Sequence, residues 1–254
     1  MSDHVLPAFI TVVVFISHAA AAGQHPLSDD ARRRMAREFD EAIAESTKRI
    51  AGDSKTVENY SRRGDAHFFR GRFSDAVADY DRMIELEPEM ENQHWRRGIA
   101  CFYAGQFDKA ARQFERYHTF DSVDRENGIW RYLSQLRSVG RDKAREGLLK
   151  YEKDDREPFR DVYRLFAGKI EPDAILEKIR TADVSDQERE KRLFYAHLYI
   201  GLNHAVEDQP QLAVPHLQAA TAAPWPREAG YGPRYMWHVG RLHLELLLQG
   251  PAEG

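Results

Sequence analysis

An internal repeat constrains this chain more than any other feature. Tyr60–Pro88 and His94–Ser122 align without a gap at a spacing of 34 residues. In that register Arg62, Arg63 and Gly64 fall on Arg96, Arg97 and Gly98, while Gly71, Phe73, Ala76 and Tyr80 fall on Gly105, Phe107, Ala110 and Phe114. One period back from Phe73 and Ala76 lie Phe39 and Ala42, and one period forward from Ala110 lies Ala144. A period of this size marks stacked supersecondary units. The pattern predicts a hairpin of two antiparallel helices. Gly64 and Gly98 stand where the first helix must lie close to the second. Ala76 and Ala110 are the small residues facing that contact, and Tyr80 and Phe114 fill the space one turn on. Gly71-Arg72-Phe73 and Gly105-Gln106-Phe107 make the turns, and Pro88 stops a helix. One hairpin cannot bury its own apolar stripe, so neighbours must stack.

Gly at position 8, Ala at 20, an aromatic at 24 and Pro at 32 of a 34-residue unit resemble the tetratricopeptide repeat. The unit 57–90 carries all four, as Gly64, Ala76, Tyr80 and Pro88. The unit 91–124 carries the first three, with Ser122 in the last place, and the unit from 125 keeps Ala144 without the early Gly. The resemblance implies an all-α fold: a right-handed superhelical solenoid of helix-turn-helix hairpins with capping helices at both ends. The wider arrangement is similar to bacterial envelope tetratricopeptide proteins of the lipoprotein type, adaptors for cell-wall hydrolases and proteases. That likeness rests on 57–124 and on the segments WRYLSQLRSVGRDKARE, LFAGKIEPDAIL and FYAHLYIGL. The chain departs from it in having no lipobox cysteine.

The expected organisation runs from a signal peptide (1–22), through an N-terminal capping helix with a partial repeat (23–56), to the repeats 57–90 and 91–124. A degenerate repeat (125–158), a short helical hairpin (159–190), a repeat-like unit (191–224) and a C-terminal capping helix with tail (225–254) follow. The apolar run Val5–Ile16 is too short to span a bilayer comfortably, and Ala20 and Ala22 fit a small-x-small cleavage pattern, although the first four residues carry no Lys or Arg. Export to the periplasm or outside the cell, with cleavage after Ala22, is the expectation. Ser28 is the expected N-cap of a helix over 29–51, with Gly52 as its stop. Further helices are expected near 57–70, 73–87, 91–104, 107–119, 125–139 and 142–151, with Pro172 opening another and a last one near 234–248. Gly201 lies 12 residues before Ala213, the offset that separates Gly64 from Ala76.

By the resemblance, partners bind the concave surface lined by first helices. That places Ser61, Arg62, Asp65, Phe68 and Phe69, then Trp95, Arg96, Ile99, Phe102 and Tyr103, then Ile129, Trp130 and Leu133 along one groove. Aromatics beside arginines suit a peptide groove, offering area at little entropic cost together with charge pairing. Packing between helices is the competing expectation for Phe68, Phe102 and Trp130, and Trp95 is the expected exposed anchor. The family's clamp for chaperone C-termini is absent, because Ser61, Asp65, Arg96, Glu126 and Trp130 occupy its positions.

The formal charge of −4 offers no basic field for nucleic acid. Cys101 is the single cysteine, expected to be buried and inert. His197, His204, His216, His238 and His243 crowd the last quarter, without an HExxH or a cysteine pair to suggest a metal. No phosphate loop, nucleophile elbow or dinucleotide fingerprint occurs. The expectation is a non-catalytic scaffold without cofactor or metal that holds a protein or peptide. A structural subunit, or an enzyme using the C-terminal histidines, are the alternatives.

Overall fold

The computed structural model describes residues 25–249. Every regular element among the described residues is helical. In chain order these are α1 (Asp29–Gly52), α2 (Val57–Phe69), α3 (Phe73–Leu86), a 3-10 helix (Pro88–Gln93), α4 (Trp95–Tyr103), α5 (Phe107–Phe120), α6 (Arg125–Val139) and α7 (Arg141–Glu146). They continue with α8 (Phe159–Phe166), α9 (Pro172–Thr181), α10 (Asp186–Val206), α11 (Pro210–Ala222), α12 (Trp225–Glu228) and α13 (Tyr231–Gln249). Consecutive helices pack on one another through most of the chain. No helix among the described residues is long and apolar enough to cross a membrane. The expected leader at 1–22 lies outside the described residues.

Some contacts recur at a constant spacing along the chain. A Cβ on Gly64 would meet the Tyr80 ring at 2.7 Å, one on Gly98 would meet Phe114 at 2.6 Å, and one on Gly201 would meet Leu217 at 2.7 Å. Each partner lies 16 residues further on. Arg63, Arg97 and Arg131, one period apart, reach the same distance forward. Arg63 donates to Asp79 at 2.7 Å and Arg97 to the Gln113 side chain at 2.7 Å, and Arg131 donates to the Gly147 carbonyl. The hairpin turns repeat too. Gly71, Gly105 and Gly168 adopt positive φ, and Asp208 takes the same conformation in the later unit, with φ 57°. After each, the next amide donates to the carbonyl five residues back, as from Arg72 to His67 and from Gln209 to His204. This closure satisfies carbonyls that the ending helix leaves unpaired.

Four elements differ from their sequence-based bounds. The helix expected over 142–151 ends at Glu146, because the Gly147 carbonyl is taken by Arg131 rather than by a further turn. The helix expected from 91 begins at Trp95. The preceding segment, opened by Pro88, is 3-10, and the His94 ring caps α4 by accepting the Arg97 amide at 3.2 Å. The helix expected near 234–248 begins at Tyr231, so Pro233 lies in its first turn, where proline lacks no needed amide. Between α11 and α13 lies the single-turn helix α12, Trp225–Glu228, which is not among the helices expected from the sequence.

One continuous core runs from Tyr60 to Leu244, and a smaller cluster of Leu165, Ile175, Leu176, Ile179, Ala196 and Ile200 joins α8, α9 and α10. Cys101 is fully buried, and burial pushes its thiol up to about 11, so it is inert. The element that organises the rest is α13. Besides packing on α11, it returns to α2 and lays its aromatic and histidine side chains along the first hairpins.

Candidate functional site

The chain's own C-terminal helix covers part of the surface on which the sequence places a groove. Tyr235 stacks on Phe68 at 5.0 Å and meets Phe69 edge-on at 5.1 Å and Trp95 at 4.8 Å. His238 stacks on Phe69 at 4.1 Å, and His243 bonds the Tyr103 hydroxyl at 3.0 Å. Arg96 donates to Asp65 at 2.8 Å, Ser61 at 3.0 Å and Tyr231 at 3.0 Å. The hydroxyls of Tyr80 and Tyr231 both donate to Asp65, at 2.7 and 2.6 Å. Arg241 donates to the Phe69 carbonyl at 2.6 Å.

The expected open groove is therefore corrected. Arg96 and Asp65 form an internal network. Phe102, Ile99 and Trp130 are core residues, as are Phe68, Ile129 and Leu133. Trp95 is half-buried rather than an exposed anchor, and Arg62 is exposed and pairs with Glu58 on its own helix. The physical reason is area: two hairpins with this many aromatics on one side cannot leave them in water, and α13 is long and aromatic enough to cover them.

Covering is incomplete. Beyond the end of the Arg96 network a cavity of about 480 Å³ remains, between α4, α5, α6, α10 and the start of α13. Trp95, Trp130, Tyr195, Trp225, Tyr117 and Phe114 form its walls, with Ile99 and Met236. Asp124, Glu126, Arg156 and Lys191 supply its charge. Asp124 is the N-cap of α6, accepting the Glu126 amide at 3.0 Å, so helix capping fixes one carboxylate at the rim. Glu126 accepts from the Arg156 guanidinium at 2.5 Å and from the Tyr199 hydroxyl, which in turn accepts from the Trp130 indole at 3.2 Å. Burial pushes the Glu126 carboxyl up to about 7 against the pull of Arg156, and raises Asp124 as well.

Arg156 comes from the charged connector after α7. It lies 4.2 Å from the Phe159 ring centroid and touches three carboxylates, Glu126, Asp124 and Asp155. Trp95, Ile99 and Trp130 are the sequence-derived groove residues that this cavity shares. Arg62, Asp65 and Phe69 line a separate depression beside α1, and Phe102 and Tyr103 line another beside His243. Sequence reasoning missed Glu126 and Arg156 as a pair. Thirty residues separate them, and only the Asp124 helix cap gave a local signal.

The histidines divide into two groups. His197 and His216 face each other with ring nitrogens 2.9 Å apart, and His204 stacks on His216 at 5.9 Å. Burial and the neighbouring ring hold His197 down to about 4. His238 and His243 lie apart from these, on the covered face of the first hairpins. Among the described residues no three His, Cys, Asp or Glu side chains are arranged to hold a metal ion.

No protein-family model matches the chain, and no curated protein matches it.

Proposed function

We propose that the protein is a non-catalytic binding scaffold of tetratricopeptide-type hairpins, in a superhelical course, which captures a protein partner through the aromatic cavity. The observation that carries this reading is the cavity itself. Trp95, Trp130 and Trp225 with Tyr195 surround open volume of a size that admits a side chain or chain end, beside the Glu126–Arg156 ion pair. Large aromatics at the rim of a pocket are what interfaces use as anchors. The repeated glycine-to-partner contact 16 residues ahead supports the repeat type. Export belongs to the same proposal, on the strength of the apolar run before Ala22. An intact mass lacking residues 1–22 on protein recovered from the envelope or the medium would support it, and a full-length mass would reject it.

Gly232 gives a direct test. It lines the cavity, and a Cβ built there meets nothing within 4 Å. Gly232→Phe should fill the space while leaving the melting temperature unchanged. Crosslinking in the native compartment should then yield a partner with the natural chain and lose it with the variant. The same partner retained by a folded Gly232→Phe protein would reject the cavity as the capture site.

A further inference from the structure

We propose that the group captured in this cavity is an ammonium on an apolar stem, specifically a lysine side chain of the partner protein. The inference rests on the cavity being the capture site. Six aromatic side chains line it, and aromatic faces attract an ammonium within about 6 Å while their area covers the methylene stem. The charge at the rim points the same way. The two carboxylates that line the cavity, Asp124 and Glu126, share the Arg156 guanidinium with a third, Asp155. The other cation lining the cavity, Lys191, is held by Glu188 at 3.1 Å.

An incoming carboxylate would thus meet cations already paired and lie beside Asp124 and Glu126. An incoming ammonium would meet carboxylates that one guanidinium does not balance. Burial raises both carboxyls by penalising their charged form, and a bound cation would favour that form. Size agrees as well: a lysine stem with its ammonium is smaller than the cavity, leaving room for water at the charged rim.

The four tryptophans provide the readout. Trp95, Trp130 and Trp225 line the cavity, whereas Trp237 is buried elsewhere with its indole N–H on the Thr221 carbonyl at 2.8 Å. The isotopically labelled full chain would be titrated with N-acetyl-lysine methylamide, its norleucine counterpart and n-butylammonium, following the four indole N–H signals. The lysine derivative should shift the three cavity signals saturably and leave Trp237 in place. Norleucine, which keeps the stem and loses the charge, should bind about tenfold more weakly or worse.

Glu126→Gln and Asp124→Asn should each weaken the lysine derivative several-fold without changing norleucine. Asn is as good an N-cap as Asp, so the second variant keeps α6 intact. Equal binding of lysine and norleucine would overturn the ammonium inference while leaving the capture reading standing. Binding of neither would overturn the inference too, and the Gly232→Phe crosslink would still decide the capture reading on its own. Butylammonium binding as tightly as the lysine derivative would overturn the assignment to a protein side chain in favour of a free amine.

Discussion

Gly98 has no room for a methyl group, since the nearest Phe114 ring atom would stand 2.6 Å from it. Gly98→Ala should cost about 1–3 kcal/mol by overpacking, read as a lower melting temperature followed by circular dichroism. An unchanged melt would mean that the first helix of this hairpin does not approach the second as closely as described. Arg96 behaves differently from what its place in the repeat suggests. Arg96→Ala would leave Asp65 without its cation and remove a bond to Tyr231, so it should lower stability by roughly 2–4 kcal/mol, measured by urea denaturation. A surface contact residue would lose almost nothing. Glu126 has a signature in pH. Its folded value of about 7 exceeds its unfolded value near 4.5, so the folded state holds a proton that the unfolded state releases. Stability from this group is full below pH 4.5 and is lost as pH rises through 7. The difference between wild-type and Glu126→Gln melting curves across that window should show this slope, and a constant difference would count against it.

At the scale of elements, α13 is the piece whose role the sequence leaves open. Its apolar positions Met236, Val239, Leu242, Leu244 and Leu247 are legible as one stripe, of which the first four are buried and Leu247 is half-buried. What they do not reveal is that Tyr235, His238 and His243 lie along α2 and α4. Those contacts join residues about 140 to 170 positions apart, for which local periodicity carries no signal. Tyr235→Ala should cost about 3–5 kcal/mol, as for a fully buried aromatic with several ring neighbours. A double-mutant cycle with Phe68→Ala should show coupling, because the two rings stack at 5.0 Å. The hairpin turns lie at the other extreme. Gly71 and Gly105 were readable as turns because a left-handed residue there favours glycine, and Asp208 shows that a short polar side chain tolerates the same geometry.

For the whole molecule, burial of neutral histidines sets the response to acid. Burial holds His94 down to about 3 and His243 to about 4, against an unfolded value near 6.5. Below pH 6.5 the unfolded chain therefore takes up protons that the folded chain refuses. Stability present above that pH is lost as it falls toward 4. The melting temperature should drop across this range, and His243→Gln should flatten part of the drop while keeping a partner for Tyr103. The repeat by itself determined the helical hairpins, their turns and the close glycine contacts, because each depends on residues within one 34-residue unit. Which face stays open was decided only in three dimensions. A distant helix competes for the same aromatic surface, and the cavity is left between its first turns and α4, α5, α6 and α10. Its charges come from an N-cap and a connector that meet only after the stack has formed.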